Sequence, residues 1–336
     1  MLSPTLSPLF VLLATCAAPV ARAQAAECQV PSRAPSFFKP GVKWQIEIQE
    51  PIRVPGNNVP VIPTDAKVWD IDMFQAIKYN VIPELRDQAA NEDIFVICYF
   101  NAGGLDRIAD CDAAKFHDED ILGKIPDWDE NYVDIMSSNV IALMQQRIKD
   151  GIAAGCDGFD PDNIDGYNFP NLVRRKVDGH VLNATDYYDY VKALADYAHA
   201  RDKLMGQKNA PQLLDLPGNR GLLKDDIVDF AVTEECAVAD SDDDARCEVM
   251  QPFINDCKPV FQIEYPSEWN HQTCAATALD EGARSTYCDP WAARNFSTIL
   301  KLNGDNCGLN NVTQYCDPNG IVITPTDPDF DTGCSN

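Results

Sequence analysis

Residues 139–165 read Asn139-Val-Ile-Ala-Leu-Met-Gln-Gln-Arg-Ile-Lys-Asp-Gly-Ile-Ala-Ala-Gly155-Cys156-Asp157-Gly158-Phe159-Asp160-Pro161-Asp162-Asn163-Ile164-Asp165. The first sixteen positions carry apolar residues three or four apart, which is the period of an amphipathic helix. A short strand-like segment at 158–160 follows, and it runs straight into an acidic loop. The same unit recurs on both sides. Strand-like runs are expected at 44–48, 68–71, 94–100, 158–160, 204–207, 227–232, 260–264 and 297–301. Helical patterns lie between them at 73–89, 139–154 and 185–201. In the last, Tyr187, Tyr190, Val191, Leu194 and Tyr197 form one stripe, read as a core-facing surface. About eight strand–helix alternations across roughly 260 residues predict a TIM-type (β/α)8 barrel, an α/β fold in one domain. A doubly wound open sheet is the competing architecture, but no Gly-x-Gly-x-x-Gly turn follows the first strand, so a dinucleotide site lacks support.

The barrel is expected at 41–305, after a Pro- and Ser-rich arm at 24–40 and before a loop-rich tail at 306–336. Residues 1–23 read as a signal peptide. An apolar run lies around Leu9 to Ala18, and Ala21-Arg22-Ala23 offers a small-x-small cleavage pattern. No later stretch is long and apolar enough to span a bilayer, so secretion is expected. Losing the leader removes Cys16 from the thirteen cysteines and leaves an even set. In an oxidising compartment that set implies disulfides in the loops and tail. Cys98 and Cys156 sit in apolar, strand-like contexts where free buried thiols remain open. Zinc is disfavoured, because there is no Cys-x-x-Cys and His117, His180, His199 and His271 are scattered. Sequons at Asn183, Asn295 and Asn311 fit a glycosylated secretory product.

Of 336 residues, 45% are hydrophobic, enough for a large core, which excludes wholesale disorder. The formal net charge of −25 disfavours nucleic acid and anionic lipid and attracts a cationic ligand. In a barrel, function gathers at the carboxyl ends of the strands. That rule selects Asp70 and Asp72, Asn101, the Asp160/Asp162/Asp165 loop, Lys208 and Asn209, Glu234 and Glu235, and Glu264 with Tyr265. Many carboxylates, few histidines and no Ser-His-Asp or Cys-His set point to glycosidic bond cleavage, which needs one carboxylic acid and one carboxylate. The Asp160–Asp165 spacing also admits a cation, but it lacks the loop pattern of a calcium site. The acidic run at 240–244 reads as a solvated loop. Asp134 is either a helix cap or a barrel-end carboxylate. Trp44, Trp128 and Trp269 are either sugar platforms or core.

Several blocks resemble glycoside hydrolase family 114. They are Trp44-Gln45-Ile46, Val68-Trp69-Asp70-Ile71-Asp72-Met73-Phe74, Val96-Ile97-Cys98-Tyr99-Phe100-Asn101-Ala102-Gly103 and Tyr132-Val133-Asp134-Ile135. The series continues through Gly155 to Tyr167, Lys208-Asn209, Phe230-Ala231-Val232-Thr233-Glu234-Glu235-Cys236 and Val260-Phe261-Gln262-Ile263-Glu264-Tyr265. The resemblance implies a barrel enzyme of the endo-α-1,4-polygalactosaminidase type, with Asp162 and Glu234 as its catalytic carboxylates. Thr233 stands where the family commonly has Asn, and Glu235 where Gln is frequent. Strand alternation would turn Glu234 and Glu235 to opposite sides, so only one can be catalytic.

Asp162 is expected as nucleophile and Glu234 as acid/base of a retaining hydrolysis. Substrate contacts are expected from Asp70, Asp72, Tyr99, Asn101, Asp160, Asp165, Lys208, Asn209, Glu264, Tyr265 and Trp44. The partner would be a cationic galactosamine-containing polysaccharide, met by a monomer without metal or cofactor. The alternative is a catalytically silent barrel that binds such a polymer.

Overall fold

The computed structural model describes residues 30–54, 61–88, 93–238, 247–304, 307–316 and 320–330. The expected leader, Cys28, Cys334 and the acidic run at 240–244 lie outside these residues. In chain order the elements are β1 (Trp44–Glu47), β2 (Val68–Asp72), α1 (Met73–Lys78), α2 (Val81–Gln88), β3 (Phe95–Asn101) and β4 (Gly104–Leu105). Next come β5 (Ile121–Lys124), β6 (Asn131–Val133), α3 (Ser138–Ala154), β7 (Gly158–Asp162), α4 (Ala184–His199) and β8 (Leu204–Lys208). The remainder are β9 (Phe230–Glu234), α5 (Gln251–Asn255), β10 (Val260–Glu264), α6 (Glu281–Cys288), β11 (Ser297–Leu300), β12 (Val312–Tyr315) and β13 (Gly320–Ile323).

β1, β2, β3, β7, β8, β9, β10 and β11 pair in that order, all parallel, as the barrel strands. At the seam β11 turns to the antiparallel β12 and β13. Side chains span from there to β1. Trp44 Nε1 donates to the Ser297 carbonyl at 2.7 Å, and the Tyr315 hydroxyl donates to the Trp44 carbonyl at 2.8 Å. Lys301 Nζ donates to the Ile46 carbonyl at 2.9 Å. These bonds satisfy backbone carbonyls that a ladder would otherwise take up.

Period-two alternation splits each barrel strand between two cores. The inward residues Trp44, Ile46, Val68, Phe95, Ile97, Leu204, Phe230, Val232, Phe261, Ile263 and Ile299 fill the amino-terminal half of the barrel. Phe38, fully buried, comes from the N-terminal arm and stacks against Phe95, Phe230 and Phe261 as a plug. Gly206 makes room there, since a Cβ would stand 2.4 Å from the Phe230 ring. The outward residues, among them Val96, Cys98, Phe100, Phe159 and Met205, pack beneath α3 and α4. The Tyr187–Leu194 stripe of α4 is core, as its period predicts.

The structure departs from the sequence reading in four places. The helix expected at 73–89 is two helices broken at Tyr79-Asn80, and its last residue lies outside the described ones. Pro83 explains the break, because its ring would collide with the carbonyl of residue 79 in a continuous helix. Cys98 and Cys156 are bonded to each other, not free. Three further pairs are Cys236–Cys247, Cys274–Cys307 and Cys288–Cys316, and Cys111 and Cys257 are also disulfide-bonded. A small antiparallel sheet, β4-β6-β5, is inserted after β3. The tail is not only loop, since β12 and β13 extend the main sheet. Among the described residues no helix is long and apolar enough to cross a membrane.

Candidate active site

The inward face changes character toward the carboxyl ends of the strands, where Asp70, Tyr99, Asp160, Asp162, Lys208, Glu234 and Tyr265 replace the apolar layer. Lys208, the last residue of β8, is almost fully buried, and its ammonium lies between two carboxylates. Its Nζ is 3.6 Å from Asp162 Oδ1 and 3.4 Å from Glu234 Oε2. The Tyr99 hydroxyl donates to Asp162 Oδ2 at 2.8 Å, and Lys208 rides over the Tyr99 ring. Glu234 receives a hydrogen bond from the Tyr265 hydroxyl. Asn209 clamps the same residue twice: its Nδ2 donates to Glu234 Oε2 at 3.1 Å, and its Oδ1 accepts from the Glu234 amide at 3.0 Å.

These contacts fix the charges. Burial alone would raise the Glu234 carboxyl, but Lys208 and the donors Tyr265 and Asn209 outweigh it and hold the group below its ordinary value. Burial alone would lower Lys208, but Asp162, Glu234, Asp160 and Asp70 push it well up, so it stays an ammonium. Burial, and then the carboxylates they touch, keep the phenols of Tyr99 and Tyr265 protonated.

Beneath this pair, Asp70 and Asp160 have no exposure at all. Both are raised above the ordinary aspartate range, Asp70 by burial and then by Asp160, and Asp160 by burial despite Lys208. The four buried oxygens of the two carboxyls have no hydrogen-bond partner among the described residues, and the charge of each opposes ionisation of the other.

On the rim, Asn101 stands beside Asp162 in strand register. Its Nδ2 donates to Glu130 Oε2 at 2.6 Å, and its Oδ1 accepts from Asn163 Nδ2 at 2.9 Å. Burial and then Asp162 raise Glu130 to about 7 and Asp165 to about 6. The arrangement offers two carboxylates flanking one cation in a cleft crowded with acids, the donor set of a glycosidic-bond cleaving site.

A family model for glycoside-hydrolase family GH114 matches residues 24–320. The chain belongs to glycoside-hydrolase family GH114. The solved structure of Aspergillus fumigatus Ega3 in complex with galactosamine is similar at 29% identity and a TM-score of 0.65, covering 87% of this chain and 100% of that one. The glycoside hydrolase domain of PelA from Pseudomonas aeruginosa is similar at 12% identity and a TM-score of 0.47, covering 77% of this chain and 93% of that one. Compared with curated protein sequences, the chain has no match. As a GH114 member the protein is a glycoside hydrolase.

Several expected GH114 site residues are placed elsewhere. Trp44 is core: its indole lies against Phe261 at the opposite, amino-terminal half of the barrel. Glu264 is buried on the outer face of β10, accepting from the Ala237 amide and Gln262, because alternation gives the inner face to its neighbour Tyr265. Asp72 caps α1 by accepting from the Gln75 amide at 2.7 Å. Glu235 leaves the strand with φ of 56° and is exposed. Asp134 is neither alternative foreseen: Ser137 caps α3, and Asp134 is a buried partner of Arg175. Trp269 is core, and Trp128 is exposed on the insert.

Among the described residues, Cys236, Cys247 and Glu264 cluster like metal ligands, but the two sulfurs are joined in a disulfide. The sequence reading missed Glu130, which precedes β6 and reaches the site only because the insert folds back over β3. Nothing in its local pattern marks it.

Proposed function

We propose that this GH114 hydrolase is secreted and cleaves internal α-1,4 linkages of a galactosamine polymer, such as partially deacetylated galactosaminogalactan, with retention of configuration. The observation that carries the reading is the shared ammonium. Asp162 Oδ1 at 3.6 Å and Glu234 Oε2 at 3.4 Å share Lys208 Nζ, which keeps those two oxygens no more than about 7 Å apart and supports the close pair of a retaining enzyme, about 5–5.5 Å, over the wide span of an inverting one. The galactosamine in the Ega3 structure and the acidity of the cleft support a cationic sugar as substrate.

In this reading Asp162 Oδ attacks the anomeric carbon while Glu234 gives its proton to the departing glycosidic oxygen. The C–O bond to the leaving chain breaks as the bond to Asp162 forms. Glu234, now ionised, takes a proton from water, whose oxygen attacks the same carbon and releases Asp162. Tyr99, which donates to Asp162, and Lys208, which lies beside it, hold Asp162 aimed. Tyr265 and Asn209 orient Glu234, so the positioning is built in before substrate arrives.

The test is reducing-end release from partially deacetylated galactosaminogalactan, with the products followed by size and anomeric configuration. Internal cuts giving α-anomers first support the reading. Binding without release would favour a silent polymer-binding barrel instead.

A further inference from the structure

Glu130 stands out because its surroundings are acidic. It enters the rim from the insert, just before β6, and its carboxylate accepts from a neutral amide, Asn101 Nδ2, at 2.6 Å. Asn101 is itself fixed: Asn163 holds its side chain, and Arg147 donates to its backbone carbonyl at 2.8 Å. The charges bearing on Glu130 are those of Asp162, Asp106 and Asp110. Asp106 turns onto its own loop, accepting from the Ile108 and Ala109 amides. Asp110 is paired with Arg147. Lys208 is committed to Asp162 and Glu234. Among the described residues Glu130 therefore forms no ion pair, although it bonds the side chain of Asn101, which stands beside Asp162 in strand register.

An acid so placed is complemented by a cation that arrives with the ligand. Resting on the substrate reading above, sugar chemistry says where that cation is. In a 2-amino sugar the nitrogen is on the carbon next to the anomeric one. A carboxylate one side-chain amide away from the residue that meets the anomeric carbon is therefore in reach of that nitrogen. We propose that Glu130 is a specificity-determining residue that receives the C2 ammonium of the hexosamine whose anomeric carbon meets Asp162. It selects free-amine over N-acetylated sugar at that position. Burial and then Asp162 raise its carboxyl to about 7, and an ammonium beside it would favour the charge that they oppose. An acetamide brings no charge and adds bulk against Asn101.

The experiment compares hydrolysis of a defined α-1,4-galactosamine oligosaccharide with that of its N-acetylated counterpart, in the wild type and in Glu130→Gln and Glu130→Asp. Glu130→Gln should raise KM for the amine substrate about tenfold, with kcat changed less than about threefold. The preference for amine over acetamide should collapse, and Glu130→Asp should restore part of it. In the wild type, galactosamine should inhibit more strongly than galactose, and Glu130→Gln should lose that difference.

An unchanged amine preference in Glu130→Gln overturns the assignment while leaving the substrate reading intact. If Glu130→Gln does not fold, as thermal melting would report, a wild-type preference in Glu130→Asp together with equal inhibition by the two monosaccharides overturns it equally. A wild type inactive on the amine oligosaccharide overturns the substrate reading itself, and this assignment with it.

Discussion

Asp162 and Glu234 end the inward-facing runs of β7 and β9, and Lys208 on β8 between them does electrostatic work on both. Substituting Asp162→Asn or Glu234→Gln keeps each shape and removes the charge. Each should cut kcat by about a thousandfold or more, measured by reducing-end release, while a cooperative melt shows that the protein still folds. Glu235→Gln should stay close to wild type, because Glu235 is turned outward. A role division follows from the held-down Glu234 carboxyl. If Glu234 supplies the proton, kcat/KM must fall as pH rises through its depressed value, which places the useful range on the acid side. A profile that instead falls only toward low pH would show that Glu234 works ionised and would overturn it as the proton donor. Much of this site was legible, because strand ends can be found from apolar runs and a barrel sends function there. Glu264 was misplaced because a strand-end position does not say which face a residue takes. Trp44 was misplaced because an aromatic at a strand start serves a core as readily as a sugar. Glu130 was invisible, since its approach depends on a loop folding back.

The strands of the barrel were readable from the sequence, but its closure was not. β1 and β11 meet through Trp44, Lys301 and Tyr315. Such contacts lie about 250 residues apart in the chain, where no local period reports them. The same holds for Phe38, which looked like part of an extended arm and is the aromatic plug of the lower barrel. Its ring contacts three facing aromatics, so a cavity there cannot collapse easily. Phe38→Ala should cost about 3–5 kcal/mol of unfolding free energy, read from urea or thermal melts. Activity per folded molecule at low temperature should persist, because the plug and the acidic layer occupy opposite halves of the barrel. A loss below about 1 kcal/mol would mean that the arm packs too loosely to count as core.

The molecule as a whole carries an acid-weighted charge, and many of its carboxyls are buried at a cost. Glu47 is raised to about 8, Asp72, Glu130 and Glu264 to about 7, Asp110 and Asp165 to about 6, and Asp70 and Asp160 are raised as well, burial being the first cause in every case. A carboxyl that holds its proton more tightly when folded stabilises the fold fully below its unfolded value. That stability is lost as pH rises through the folded one. Seven of these groups thus act in one direction between about pH 4 and 7, and Glu47 extends the window to about 8. Glu234, held low, opposes them alone among the buried site acids. Lys301, lowered to about 8, restores stability only as pH climbs above that value, outside the window. The net charge of −25 adds self-repulsion over the same range as carboxyls ionise. The melting temperature should therefore be highest near pH 5 and at least about 5 °C lower at pH 8. Asp160→Asn should flatten that slope, since it removes one of two carboxyls that compete for a single proton. A melting temperature that rises from pH 5 to pH 8 would show that these buried acids are ionised in the folded protein and balanced by partners.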